Sequence, residues 1–142
     1  QKNAIKSVVK GSNSNAVHNV ALKILVEGLK DIGLLRGTTD EIIENGLYKH
    51  LYMHRTGHWL GLDVHDVGAY KKDGDWRELE KGMVMTIEPG IYILDSLEDV
   101  DDKWKGIGVR IEDNIVINDS GNEFLTPDVP RTIEEVEQIV QG

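Results

Sequence analysis

The thirteen residues His54-Arg55-Thr56-Gly57-His58-Trp59-Leu60-Gly61-Leu62-Asp63-Val64-His65-Asp66 constrain this chain more than any other stretch. They hold three of its five histidines, two of its fifteen glycines and two aspartates. Imidazole binds metals and exchanges protons near neutral pH, so this density points to a site. His54 and His58 stand four apart, which on a helix would put them on one face. Gly57, Gly61 and β-branched Thr56 argue against a helix. A short strand around residues 58–60 fits better, with Gly61 bending the chain before Leu62-Asp63-Val64-His65. On an unbroken strand His58 and His65 would face opposite ways, because their separation is odd. The glycine break is what can bring both to one pocket. On this stretch alone, core or turn histidines are as good a reading as metal ligands.

Two carboxylates interrupt otherwise apolar strands further on. In Met83-Val84-Met85-Thr86-Ile87-Glu88, residues Val84, Thr86 and Glu88 share one face. In Gly108-Val109-Arg110-Ile111-Glu112, residues Arg110 and Glu112 point one way. A buried ionised carboxylate is costly unless it is paired or bound to metal. Arg110 can pair with Glu112, and Glu88 can reach water at the strand end before Pro89-Gly90. Each bland reading is easy alone. Taken together, a histidine beside glycines and two strand-borne glutamates form a hard donor set suited to Mn, Fe, Co or Zn.

The rest of the chain frames these segments. Residues 1–10 read as the end of a helix stopped by Gly11. Ser12 or Ser14 caps a second helix with apolar positions Val17, Val20, Ala21, Ile24, Leu25 and Leu29, and Gly33 as its stop. His18 in that helix reads as partly exposed, and His50 as a surface residue. Thr38 and Glu41 form a capping box for a third helix through Ile42 and Ile43. Asp73-Gly74 marks a turn, and Ile91-Tyr92-Ile93 resumes the strand begun at Met83. The acidic residues of 94–105 lack the spacing of a calcium loop and read as a solvated loop. Residues 108–112 and 114–117 read as a strand pair or one long strand, and Ser120-Gly121 as a turn. A second capping box, Thr132 with Glu135, opens a final helix through Val136, Ile139 and Val140. Helices first, antiparallel strands next and a closing helix make an α+β fold.

Composition limits the partners. With 142 residues there is room for one domain with a real core. A formal net charge of −9 argues against nucleic acid or anionic membrane as a partner, since both need a basic surface. No cysteine is present, which excludes disulfides and zinc–thiolate sites and suggests a reducing, cytoplasmic setting. No run approaches the apolar length of a membrane span.

The motif His54-x-x-Gly57-His58-x-x-Gly61-x-x-x-His65-Asp66 resembles the signature of the proline-specific metallopeptidases with the pita-bread fold. Thr86-Ile87-Glu88-Pro89-Gly90 and Gly108-Val109-Arg110-Ile111-Glu112-Asp113 are similar to that family's two later motifs, in the same order. The form His58-Trp59-Leu60-Gly61-Leu62-Asp63-Val64-His65-Asp66-Val67-Gly68 most resembles the Xaa-Pro aminopeptidases, with prolidase the nearby alternative. The resemblance implies a pita-bread portion with helices on a curved antiparallel sheet. It implies His58, Glu88 and Glu112 as ligands of two divalent ions, usually Mn, with Co, Zn or Fe as alternatives. His54 and His65 would either support the metal ligands from behind or face the substrate, Glu88 would also serve as general base, and Arg110 would orient Glu112. Substrates would be peptides with proline in the second position.

The family also places two aspartate ligands earlier, on a strand pair with no counterpart here. Asp31 and Asp40, the aspartates before the histidine stretch, lie in helical or capping contexts. With Gln1 rather than methionine at its start, the whole chain, residues 1–142, is expected to be the carboxy-terminal part of a catalytic domain. Such a part would be nearly inactive alone and, with an exposed sheet edge, prone to self-association. Related domains keep this fold for binding without metal, but retention of all three donors speaks against that reading.

Overall fold

The computed structural model describes residues 1–142, and its architecture follows from how each segment satisfies its backbone. The first helix, α1, spans Lys2–Lys6 and stops well before Gly11. Its end has a local cause. The Ser7 hydroxyl donates back to the Ala4 carbonyl at 2.7 Å, competing with further helix. Residues 11 and 12 are then used elsewhere: Gly11 N–H donates to the Leu79 carbonyl, and Leu79 N–H to the Ser12 carbonyl.

Helix α2, Ser14–Asp31, is capped by Asn13, whose side chain accepts from Ala16 N–H at 2.9 Å, rather than by either serine. Its buried face is Val17, His18, Ala21, Leu22, Val26 and Leu29. The expected stripe was rotated, since Ile24 is 40% exposed and His18 lies inside at 7%. A partner for the imidazole, the Thr56 hydroxyl, is what permits that burial. Helix α3, Thr39–Glu44, carries the expected capping box from Thr38 and Glu41.

A small hairpin, β1 (Lys71–Lys72) with β2 (Asp75–Trp76), forms around Asp73-Gly74. Both turn residues have positive φ, 54° and 95°, as a tight right-twisting hairpin requires. Strand β3 (Val84–Ile87) pairs antiparallel with β6 (Asp113–Asn118), which pairs in turn with β7 (Gly121–Phe124). Strand β4 (Gly90–Tyr92) pairs with β5 (Gly108–Arg110), and α4 (Ile133–Gln141) closes the chain behind its own capping box. Residues 94–107 form an irregular excursion containing one 3-10 turn, Asp102–Trp104.

Residues 108–117 are therefore neither a strand pair nor one strand. Strands β5 and β6 belong to different sheets, with the break at Ile111-Glu112. It faces the break at Glu88-Pro89 in the partner, where proline supplies no N–H. Ile87 stands opposite Asp113 below the break, and Gly90 opposite Arg110 above it. The register is continuous through the kink, so Glu88 stands opposite Glu112. Two facing carboxylates in a ladder repel unless positive charge stands between or beside them.

Two apolar clusters share α2. One joins Ala4, Ile5 and Val8 to Val17, Ala21, Trp59, Leu79, Met85, Ile87, Ile115 and Ile117. The other joins Leu22, Val26 and Leu29 to Leu35, Ile42, Leu51, Tyr52 and Ile93. The histidine stretch leaves the core between them. No helix is long and apolar enough to cross a membrane.

Candidate metal centre

His58 is delivered by a segment that runs beside β3 without forming a long strand. Thr86 N–H donates to the His58 carbonyl at 2.9 Å, and Glu88 N–H to the Thr56 carbonyl at 2.7 Å. Leu60 N–H donates to Val84, and Trp59 forms a single bridge with Met85. Gly57 makes this approach possible. A Cβ there would stand 1.8 Å from the Thr86 carbonyl oxygen. At Gly61 a Cβ would meet the Asp66 carboxylate, which would have to turn aside to admit a side chain at the expected bend.

Donor atoms of His58, Glu88 and Glu112 all lie within 4.8 Å of one another. The His58 Nδ1 stands 2.9 Å from the Trp59 carbonyl, so it carries a proton and donates to that oxygen. Its Nε2 faces Glu88 Oε1 at 3.1 Å. Together with the opposed Glu112 carboxylate, this donor set fits a divalent ion, and the Trp59 carbonyl is placed to orient the imidazole as an outer partner would.

Other side chains hold the carboxylates in place. The Thr86 hydroxyl accepts from His58 N–H at 3.1 Å and donates to Glu88 Oε1 at 2.9 Å. Arg110 lies between the two glutamates, 3.8 Å from Glu88 and 3.9 Å from Glu112. It balances both anions and not Glu112 alone. The neighbouring Tyr92 hydroxyl first, then the Glu88 and Glu112 carboxylates, hold its guanidinium pKa above the ordinary value. Glu88 is only 12% exposed, so it does not reach into water at the strand end.

His65 is brought to His58 as the glycine break implied, with ring centroids 4.4 Å apart, and is itself exposed. His54 is otherwise engaged. Its Nδ1 bonds the Arg55 carbonyl at 2.8 Å, and its Nε2 lies 2.9 Å from the Tyr92 hydroxyl. A cleft of about 330 Å³ opens beside His58, lined by Ser14, Arg55, Thr56, Gly57, Tyr70 and Trp76.

Sequence reasoning missed Thr86, Tyr92 and the Asp113–Arg131 pair. The period of two already placed Thr86 beside Glu88. Nothing local marks Asp113, whose fully buried carboxylate meets Arg131 at 2.9 Å, Thr126 at 3.1 Å and the Gln1 side chain. Those partners come from both ends of the chain.

The metallopeptidase family M24 matches residues 1–119. An Xaa-Pro aminopeptidase of Haemophilus influenzae is 48% identical over 140 residues, covering 99% of this chain and 32% of that protein. The Xaa-Pro dipeptidase of Rattus norvegicus is 39% identical, covering 89% of this chain and 31% of that protein. Among solved structures, the Pseudomonas aeruginosa aminopeptidase PepP superposes with a TM-score of 0.95 at 48% identity, over 99% of this chain and 32% of its own. Aminopeptidase P of Escherichia coli with the inhibitor Pro-Leu superposes at 0.91 and 43%, over 99% and 31%. The chain belongs to metallopeptidase family M24. Its fold is the corresponding portion of the pita-bread fold of the aminopeptidases P, and it spans about a third of the length of the relatives it matches.

Proposed function

We propose that the protein is a metal-dependent Xaa-Pro aminopeptidase, which releases an amino-terminal residue that precedes proline, with manganese as the working ion. The observation that carries this reading is the convergence of His58, Glu88 and Glu112 within 4.8 Å, on kinked strands whose register forces the two glutamates together. When bound, divalent ions activate water and stabilise negative charge on the scissile carbonyl oxygen. An Xaa-Pro bond lacks an N–H, so a site that needs that donor cannot use it.

The chain's own residues divide the work. His58 Nε2 and the two carboxylates would hold the ions, with Thr86 fixing Glu88 and Arg110 balancing both carboxylates. Glu88 is the carboxylate best enclosed to take up a proton. His65, exposed beside His58, faces the substrate side. His54 acts through its contact with the Tyr92 hydroxyl.

The test is hydrolysis of Gly-Pro-Leu against Gly-Ala-Leu with Mn²⁺ and after chelation. The proposal expects cleavage of the proline peptide alone, lost on chelation. Equal cleavage of both peptides, or cleavage that survives chelation, would overturn it. The resemblance places two aspartate ligands outside these 142 residues, so the chain alone should bind metal weakly and turn over slowly. Robust turnover with two tightly held ions would show that more ligands lie within it. The similarity to the rat Xaa-Pro dipeptidase supports a second reading. A preference for Gly-Pro over Gly-Pro-Leu would favour it.

A further inference from the structure

Behind the metal-facing side chains the molecule buries a polar knot that the proposed chemistry does not use. His18 on α2, Tyr52 and Thr56 meet out of solvent, at 7%, 1% and 2% exposure. The Thr56 hydroxyl oxygen lies 2.6 Å from the Tyr52 hydroxyl and 2.9 Å from His18 Nδ1. Each contact needs one proton, so the three groups form a single hydrogen-bonded relay centred on the Thr56 hydroxyl. Burial pushes the Tyr52 pKa up to about 12, so the phenol keeps its proton. Burial, then Arg55 and His54, pull the His18 pKa down to about 4, so the ring is neutral at neutral pH.

The place of Thr56 in the fold gives this relay a consequence. Residues 61–65 beyond it are exposed, and Arg55 before it is exposed too. Thr56 is the one residue of the 54–58 segment whose side chain is anchored in the core. Its carbonyl accepts Glu88 N–H, and two residues later His58 N–H reaches the Thr86 hydroxyl. We infer that His18 is a positioning residue for the metal pocket: through the Thr56 hydroxyl it locks residues 56–58 against β3 and so sets where His58 stands. This rests on the divalent-ion reading of the site, and its test lets the two ideas fail separately.

The experiment compares the full chain with His18→Leu, which removes the hydrogen-bonding nitrogen, and Thr56→Val, which removes the hydroxyl at nearly constant shape. His18→Asn, which offers an oxygen near the place of Nδ1, is the conservative control. Amide hydrogen exchange is read at His58 and Glu88 against Ile117, whose N–H donates to Met83 elsewhere in the same sheet at 2.9 Å. His18→Leu and Thr56→Val should speed exchange at His58 and Glu88 by about tenfold more than at Ile117, with His18→Asn within about threefold of wild type. The dissociation constant for Mn²⁺ should rise in the same order. If His58 and Glu88 track Ile117 in every variant, the knot is only core and the inference fails. If the wild-type chain binds no Mn²⁺, the metal reading falls while the exchange comparison still decides the positioning role. Should His18→Leu not fold, Thr56→Val against His18→Asn carries the same contrast.

Discussion

Adding a single methyl group at Gly57 should break the candidate centre without touching any of its donors. In Gly57→Ala the new Cβ would sit 1.8 Å from the Thr86 carbonyl oxygen and 2.8 Å from its carbon, both backbone atoms that cannot rotate away. Reaching an ordinary contact near 3.4 Å means parting the two segments by about 1.6 Å. That displacement exceeds what the Glu88–Thr56 and Thr86–His58 backbone bonds, at 2.7 and 2.9 Å, can absorb. Losing both costs about 2 kcal/mol net, and overpacking adds about 1–3 kcal/mol, so stability should fall by roughly 3–5 kcal/mol. His58 would leave Glu88 by a similar distance, and metal affinity should drop roughly 10–100-fold, as when an orienting partner is removed. Urea unfolding and Mn²⁺ titration by calorimetry read the two effects. A Gly57→Ala protein with wild-type midpoint and affinity would refute the close-approach argument.

Further predictions follow from the buried polar groups and the exposed apolar face. The folded-state pKa of His18 lies near 4, below the ordinary 6.5, so between those values the unfolded chain binds a proton that the folded chain refuses. Stability should be complete above pH 6.5 and fall as pH drops towards 4, by about 1.4 kcal/mol per unit and on the order of 3 kcal/mol in all. Urea midpoints at intervals between those pH values should show a shallower slope in His18→Asn, and equal slopes would count against the assignment. Arg131→Met leaves the Asp113 carboxylate, 0% exposed, without its guanidinium and should cost about 3–5 kcal/mol. The Asp113→Asn/Arg131→Met pair should cost less than the sum of its parts in thermal unfolding. Ile133, Val136, Ile139 and Val140 of α4 are 73%, 45%, 65% and 78% exposed, so the chain should self-associate in light scattering. Ile139→Glu should shift it towards monomer, and a clean wild-type monomer would contradict this.

Much of the fold was legible because local signals agreed with it. Thr38 with Glu41 and Thr132 with Glu135 mark helix starts that occur where expected. Asp73-Gly74 marks its turn, although the hairpin strands of two residues each were too short to read. The convergence of His58 with His65 could be argued from Gly61. What stayed hidden depends on distant partners. The burial of His18 could not be read because Thr56 and Tyr52, which make it tolerable, lie well along the chain. The split between β5 and β6 arises from the proline kink in the opposing strand, which no property of residues 108–117 announces. The same kink makes Glu88 face Glu112, a relation that belongs to register and not to either motif.

The most direct test of the central claim is an anomalous-scattering map from crystals of this chain soaked in Mn²⁺. Ligation by His58 Nε2, Glu88 and Glu112 predicts a peak about 2.0–2.3 Å from all three donors, absent in Glu112→Gln/Glu88→Gln crystals. A strong manganese peak elsewhere, with the three side chains left facing one another, would contradict it.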